Sequence, residues 1–300
     1  MPTETVDPRF VDIDVWPTES AIEAMLEGQL AALASLKSQT AALAAASEAA
    51  AIRLRKGGRL IYAGAGTSGR IAVQDGVELT PTYNWPQERL VFLMAGGPKA
   101  LTESVEGAED DAAAGNAAVA EAATGQLDVV IGVAASGTTP FTVAVLTAAR
   151  AAGALTIGIA NNRGAPLLEA AEHALLVDTG SEVVAGSTRM KAGTAQKAAL
   201  NMLSTAMMIR CGLIYRGLMV NMRVSNEKLL RRGQEMIQDI AGVDGATAER
   251  ALETADLDVK IGVLVALGAS VDGAKILLGH HFGDLRASIG ACSAGGMPDA

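Results

Sequence analysis

Leu60-Ile61-Tyr62-Ala63-Gly64-Ala65-Gly66-Thr67-Ser68-Gly69-Arg70 decides the reading of this chain. The apolar run 60–63 is a strand pattern, and Arg70-Ile71-Ala72-Val73 can open a helix. A glycine-rich turn between the two lets backbone N–H groups approach an anion where the helix dipole also favours negative charge. The spacing matches G-x-G-x-x-G, which first suggests a dinucleotide site. Such a site calls for an acidic residue at the end of the next strand, to hold a ribose hydroxyl. Here that strand, Arg89 to Met94, runs into Ala95-Gly96-Gly97. The adjacent hydroxyls of Thr67 and Ser68 suit the oxygens of a terminal phosphate monoester instead.

A second loop repeats the arrangement. Asp128 to Ala134 reads as a buried strand and leads into Ala135-Ser136-Gly137-Thr138-Thr139-Pro140, with a helical stretch from Phe141 to Ala152. Pro140 suits a first helical turn, where a missing N–H costs nothing. Two hydroxyl-rich loops at the carboxyl ends of two parallel strands can converge on one phosphate, because ligands of open α/β sheets sit at that edge.

Strands fall at 59–63, 89–94, 128–134, 154–159 and 173–177, mostly separated by helical stretches. The fold class expected is α/β, a doubly wound, mostly parallel five-stranded sheet covered on both faces. Residues 1–17 read as extended, with breakers at Asp7-Pro8 and Trp16-Pro17. One long Ala/Leu helix then runs from Thr18 to about Arg55. Gly186-Ser187-Thr188 introduces a further helix, opened by Arg189 and Lys191 and running through Met208, its methionines serving as core filler. Beyond Gly242, helical patterns broken at Ala255-Asp256 and Gly268 form a small all-helical C-terminal module, and Ala294 to Ala300 read as frayed. The expected organisation is an N-terminal segment and helix (1–57), a sugar-phosphate domain (58–241) and the C-terminal module (242–300).

The chain has 300 residues, half of them apolar but only 3% aromatic, and a net charge of −9. That balance argues against a nucleic-acid partner, which needs a basic face. Cys211 and Cys292 make neither a disulfide framework nor a zinc site, and no cluster has metal-ligand spacing. Met1 to Phe10 lacks the basic and apolar stretches of a signal peptide. The most apolar helix, around Ala195 to Tyr215, is interrupted by Lys197, Asn201 and Arg210, so no membrane span is expected. A cytoplasmic protein without metal or cofactor is the expectation.

Carboxylates beside the loops supply acid–base candidates. Glu78 follows the first loop's helix, close to the phosphate loop, and Glu106, Glu109 and Asp110 follow the turn Gly96-Gly97. Two carboxylates beside a sugar can divide acid and base work when their surroundings separate their pKa values. His173, His280 and His281 are weak candidates. Arg189 and Lys191 are either solvated helix residues or cations for a phosphate.

Four stretches together carry a family resemblance: residues 58–70, Val105-Glu106-Gly107-Ala108-Glu109-Asp110, residues 134–140, and Gly186-Ser187-Thr188-Arg189-Met190-Lys191-Ala192-Gly193-Thr194-Ala195-Gln196-Lys197. The chain resembles the N-acetylmuramic acid 6-phosphate etherases of the sugar isomerase (SIS) domain superfamily, most strongly over about residues 58–230. The resemblance implies an SIS-type sheet and a homodimer acting on a small sugar phosphate, without metal or redox cofactor. It implies cleavage of the D-lactyl ether of N-acetylmuramic acid 6-phosphate to N-acetylglucosamine 6-phosphate and D-lactate, in cytoplasmic cell-wall recycling. It assigns the proton donor to Glu78 and the second active-site glutamate to Glu109. It places the family's phosphate loops on Thr67 and Ser68 and on Ser136, Thr138 and Thr139, and the expected binding set adds Gly66, Ser187 and Lys191. Two departures stand out. The family's usual Asp-Ala-Ser-Glu-Cys-Pro-Pro-Thr reads Asp75-Gly76-Val77-Glu78-Leu79-Thr80-Pro81-Thr82 here, and Thr138 stands where the family usually has Arg. The alternatives are a non-catalytic sugar-phosphate regulator and an aldose–ketose isomerase, the latter sharing proton removal at C2.

Overall fold

The five apolar runs form five strands in a computed structural model that describes residues 1–293. They are β1 (Leu60–Gly64), β2 (Leu90–Met94), β3 (Val129–Ala134), β4 (Leu155–Ala160) and β5 (His173–Leu176). The strand order is β2-β1-β3-β4-β5, and every pairing is parallel. Leu60 stands opposite both Leu90 and Val129, so β1 and β3 lie centrally and carry the two hydroxyl loops at neighbouring carboxyl ends. Both strands are buried along their whole length, which explains why their sequences are continuously apolar rather than alternating.

The helices of the first half are α1 (Thr18–Ser35), α2 (Thr40–Arg55), α3 (Gly66–Val77), α4 (Leu79–Tyr83), α5 (Ala112–Glu121), α6 (Pro140–Ala151) and α7 (Pro166–Ala170). One sheet face packs Ile61, Ala63 and Val130 with Val145, Leu146 and Ala149 of α6. From α2, Leu43, Ala46, Ala50 and Leu54 are buried, and this helix packs on β3, β4 and β5. The second half holds α8 (Lys191–Arg210), α9 (Glu227–Ala241), α10 (Gly245–Thr254), α11 (Val259–Ala266), α12 (Val271–His280) and α13 (Leu285–Ser293).

The described chain divides into two compact units, Met1–Val77 with Glu88–Ala206, and Glu78–Gln87 with the residues from Met207 onward. These limits differ from 57/58 and 241/242. In the second unit α9 packs on α10 and α11, and Met236 and Ile237 share a core with Leu252, Val263, Leu264 and Leu277. Asn221 Nδ2 donates to the Tyr83 carbonyl at 2.7 Å, tying the 78–87 segment to this unit. Side-chain caps set its helix starts. Asn226, Asp244, Asp258 and Ser270 each accept from the backbone N–H three residues on, at 3.0, 2.7, 2.9 and 3.0 Å.

Two local expectations are corrected. Residues 1–17 are not extended: Pro2–Glu4, Pro8–Phe10 and Ile13–Val15 are 3-10 turns, two of them led by proline and one capped by Asp7 onto the Arg9 N–H at 3.0 Å. The single long helix is two helices joined by a 3-10 turn at Leu36–Gln39. Around that break Ser35, Ser38 and Thr40 donate to the carbonyls of Ala32, Ser35 and Lys37 at 2.7, 2.9 and 2.9 Å, competing with the regular ladder. The helix that Gly186-Ser187-Thr188 introduces starts at Lys191, where the buried Glu182 carboxylate accepts from the N–H groups of Lys191 and Ala192, each at 2.9 Å. A carboxylate there satisfies two orphan donors and meets the positive end of the dipole. The expected fraying of Ala294 to Ala300 lies outside the described residues.

Candidate active site

The turn after β1 is built for close approach. A Cβ on Gly64 would lie 2.8 Å from the Gly69 Cα, and one on Gly69 would lie 2.4 Å from the Met94 sulfur. Glycine at both positions therefore seats the first turn of α3 on the end of the strand. Gly66 takes a left-handed conformation at φ 51°, which starts the helix immediately, so Thr67 and Ser68 lie in its first turn. That turn carries the unpaired N–H groups of a helix N-terminus.

The turn after β3 faces the same cleft. Ser136 Oγ accepts from the Thr138 N–H at 3.2 Å and from the Thr138 hydroxyl at 3.1 Å. With its lone pairs engaged, the Ser136 hydroxyl keeps its own proton for an acceptor in the cleft. The cleft has a volume of about 310 Å³. Gly66, Thr67, Ser68, Ser136, Thr138 and Thr139 line it, and so does Glu109. These seven expected residues thus meet at one carboxyl edge of the sheet.

The remaining expected residues lie elsewhere. Ser187 does not line this cleft, whereas its neighbour Thr188 does. Lys191 is buried, with its Nζ donating to the Ser181 carbonyl at 2.8 Å, so its charge is used inside the fold and not toward the cleft. Glu78 is exposed, belongs to the second unit and immediately follows α3. It is not close to the loop. The 12 residues of α3, at about 1.5 Å each, put Val77 roughly 16 Å from Gly66 along the helix axis.

Three lining residues were missed or left without a role by the sequence. Thr188 adjoins the expected Ser187 in the stretch 186–197, where the sequence alone does not tell the two hydroxyls apart. Asp110 adjoins Glu109. Glu4 lies more than sixty residues from either loop, and no local pattern signals it. Among the described residues that line the cleft there is no lysine or arginine. Arg70, just past the loop, donates to the carbonyls of Ala100 and Glu103, each at 3.0 Å, and so braces the neighbouring turn. An anion here would be held by hydroxyls, amide N–H groups and the α3 dipole. The described residues contain no group of three His, Cys, Asp or Glu side chains fit for a metal, and no single helix is long and apolar enough to cross a membrane.

Behind the loop, Asp75 of α3 is buried and accepts from Tyr62 Oη at 2.9 Å, Asn201 Nδ2 at 2.7 Å and Ser204 Oγ at 3.2 Å. Burial raises its pKa, and the three donors oppose that rise. The cluster links α3 to β1 and α8, and so fixes the helix that presents Thr67 and Ser68.

A parallel α/β sheet with paired hydroxyl loops at one carboxyl edge defines an SIS domain. Residues 42–150 match the glucokinase regulatory protein N-terminal SIS domain family, and residues 113–206 match the SIS domain family. A crystal structure from Bacteroides fragilis, described as a phosphosugar isomerase candidate involved in capsule formation, has the same fold. Its TM-score is 0.51 at 21% identity, over 67% of this chain and 95% of that one. The chain belongs to the N-acetylmuramic acid 6-phosphate etherase family. It is 47% identical to the etherase of that name from Deinococcus radiodurans, over 96% of this chain and 95% of the relative. Identity is 46% to the Streptomyces coelicolor etherase, over 96% and 93%, and 42% to the Cronobacter sakazakii etherase, over 96% and 97%.

Proposed function

We propose that this protein is a carbon–oxygen lyase that cleaves the D-lactyl ether of N-acetylmuramic acid 6-phosphate, releasing N-acetylglucosamine 6-phosphate and D-lactate. The observation that carries this reading is the meeting of Thr67, Ser68, Ser136, Thr138 and Thr139 with Glu109 in one cleft, in a chain of this family. The loops bind the phosphate and thereby orient the sugar, turning remote binding into positioning of the reacting carbons. In the open-chain sugar the ether oxygen on C3 is β to the C1 aldehyde. Glu109, on the rim, removes the C2 proton to give an enolate. The C3–O bond then breaks as Glu78 protonates the departing lactate oxygen, and water adds back at C3.

The length of α3 bears on how Glu78 takes part. With α3 about 16 Å long, Glu78 follows the end of the helix opposite to the phosphate loop. The reading therefore has Glu78 delivered by a second copy of the chain, in a homodimer. Ile22, Leu26, Leu30 and Leu33 support self-association, since all four are exposed and recur along α1 at helical spacing. We place this activity in the cytoplasm, as part of cell-wall recycling, with no metal or redox cofactor in the scheme.

The test is turnover of N-acetylmuramic acid 6-phosphate in labelled solvent. D-lactate should appear, with deuterium from D2O at C2 of the product and heavy oxygen from labelled water at C3. Heavy oxygen in lactate would mean direct hydrolysis and overturn the elimination scheme. Ketose formation without lactate would mean an isomerase, and binding without turnover a regulator.

A further inference from the structure

Glu4 reaches the cleft from the N-terminal segment, which is fastened on both sides of it. Thr3 is completely buried although it is the third residue of the chain. Its hydroxyl accepts from Asn162 Nδ2 at 3.1 Å, and the same Nδ2 donates at 2.9 Å to the carbonyl of Ala135, the residue that opens the second hydroxyl loop. The Thr3 carbonyl accepts from the Gly186 N–H at 3.1 Å. On the other side the buried Asp7 accepts from Ser181 Oγ at 2.9 Å. The segment is therefore strapped to the loop after β4 and to the loop that carries Thr188.

Between these anchors the Glu4 side chain lines the cleft together with both hydroxyl loops. Its carboxylate accepts a weak hydrogen bond from the Thr3 hydroxyl at 3.5 Å, and its Oε2 lies beside Gly186, where a Cβ would stand 3.1 Å away. An ionised carboxylate only accepts hydrogen bonds, and most of this one's acceptor capacity is open. It would repel a phosphate, but it suits the hydroxyls of the sugar that the phosphate carries.

We infer that Glu4 is a substrate-binding residue, accepting a hydrogen bond from a sugar hydroxyl of a phosphosugar held at its phosphate end by the two loops. The inference rests on the sugar-phosphate reading above, but not on ether cleavage. It assigns the N-terminal segment to the site and makes the site selective for a polyhydroxylated body over a bare anion.

The experiment compares full-length wild type with E4A and E4Q, using two probes, N-acetylglucosamine 6-phosphate and inorganic phosphate. Glu4 is exposed and uncoupled from the core, so both variants should fold. E4A should weaken N-acetylglucosamine 6-phosphate binding at least fivefold, with E4Q intermediate because its amide oxygen still accepts. Inorganic phosphate should bind either variant as well as wild type or more tightly, because a negative charge has left the cleft. Unchanged sugar-phosphate binding in E4A, or an equal loss of both probes, would overturn the assignment. So would a wild-type chain that binds phosphate but not the sugar phosphate. A wild-type chain that binds the sugar phosphate but releases no D-lactate would instead count against the etherase reading alone.

Discussion

Gly64 and Gly69 touch backbone to backbone: a Cβ on the first would stand 2.8 Å from the Cα of the second. This contact lets α3 start at the end of β1 with its first-turn amides facing the cleft. Gly69→Ala should therefore do more than lower stability. Overpacking against Gly64 and Met94 should cost about 1–3 kcal/mol, read as a lower melting temperature. Phosphosugar binding should fall in the same variant even well below that temperature. A variant that melts early yet binds normally would disprove the link between this packing and the loop.

Ser68 and Ser136 are expected to anchor the phosphate from the two loops. Ser68→Ala or Ser136→Ala removes one hydroxyl donor to a charged oxygen, about 1.5–3 kcal/mol, or roughly ten- to a hundredfold in affinity. Kinetics should place most of that loss in KM. Ser187→Ala, by contrast, should change KM little, since Ser187 does not line the cleft.

The proposal that a second copy delivers Glu78 makes a complementation prediction. Glu78→Gln and Glu109→Gln homodimers should each lose D-lactate release by about a hundredfold or more. Mixing the two variants under conditions of subunit exchange should restore a substantial part of the activity, because each mixed dimer holds one site with both glutamates. Failure of mixing, with exchange verified by mass, would place both glutamates in the same chain.

Lys260 gives a pH prediction for the second unit. Burial lowers its pKa to about 8, against the opposing pull of Asp258, Asp284 and Cys211, and its Nζ donates to the Gly283 carbonyl at 2.7 Å. The unfolded chain keeps the ordinary lysine value of 10.5 and so binds more protons than the folded chain between pH 8 and 10.5. Stability in this window rises with pH. Urea unfolding should show wild type gaining on the order of 2–3 kcal/mol relative to Lys260→Met between pH 7.5 and 10. Parallel curves for the two proteins would rule out a depressed lysine.

Much of this protein is determined by its sequence. A continuous apolar run such as Val129 to Ala134, bounded by turn residues, reads as a strand covered on both faces, and the glycine spacing around Thr67 and Ser68 marks a tight strand-to-helix turn, because both signals lie within a few residues. The breaks at Ala255-Asp256 and Gly268 are equally local, which makes the C-terminal helices legible. Only the tertiary structure decided the rest. It turned Lys191 inward onto Ser181, while Glu182 caps α8 at that same residue. It brought Glu4 to loops more than sixty residues away, through hydrogen bonds from Thr3 to residues 162 and 186. It set one helix length between the phosphate loop and Glu78. Local patterns report what a residue does to its own backbone. Which distant side chains share one cleft depends on the order in which parallel strands assemble, and on the few long-range polar contacts that fasten loops across their ends.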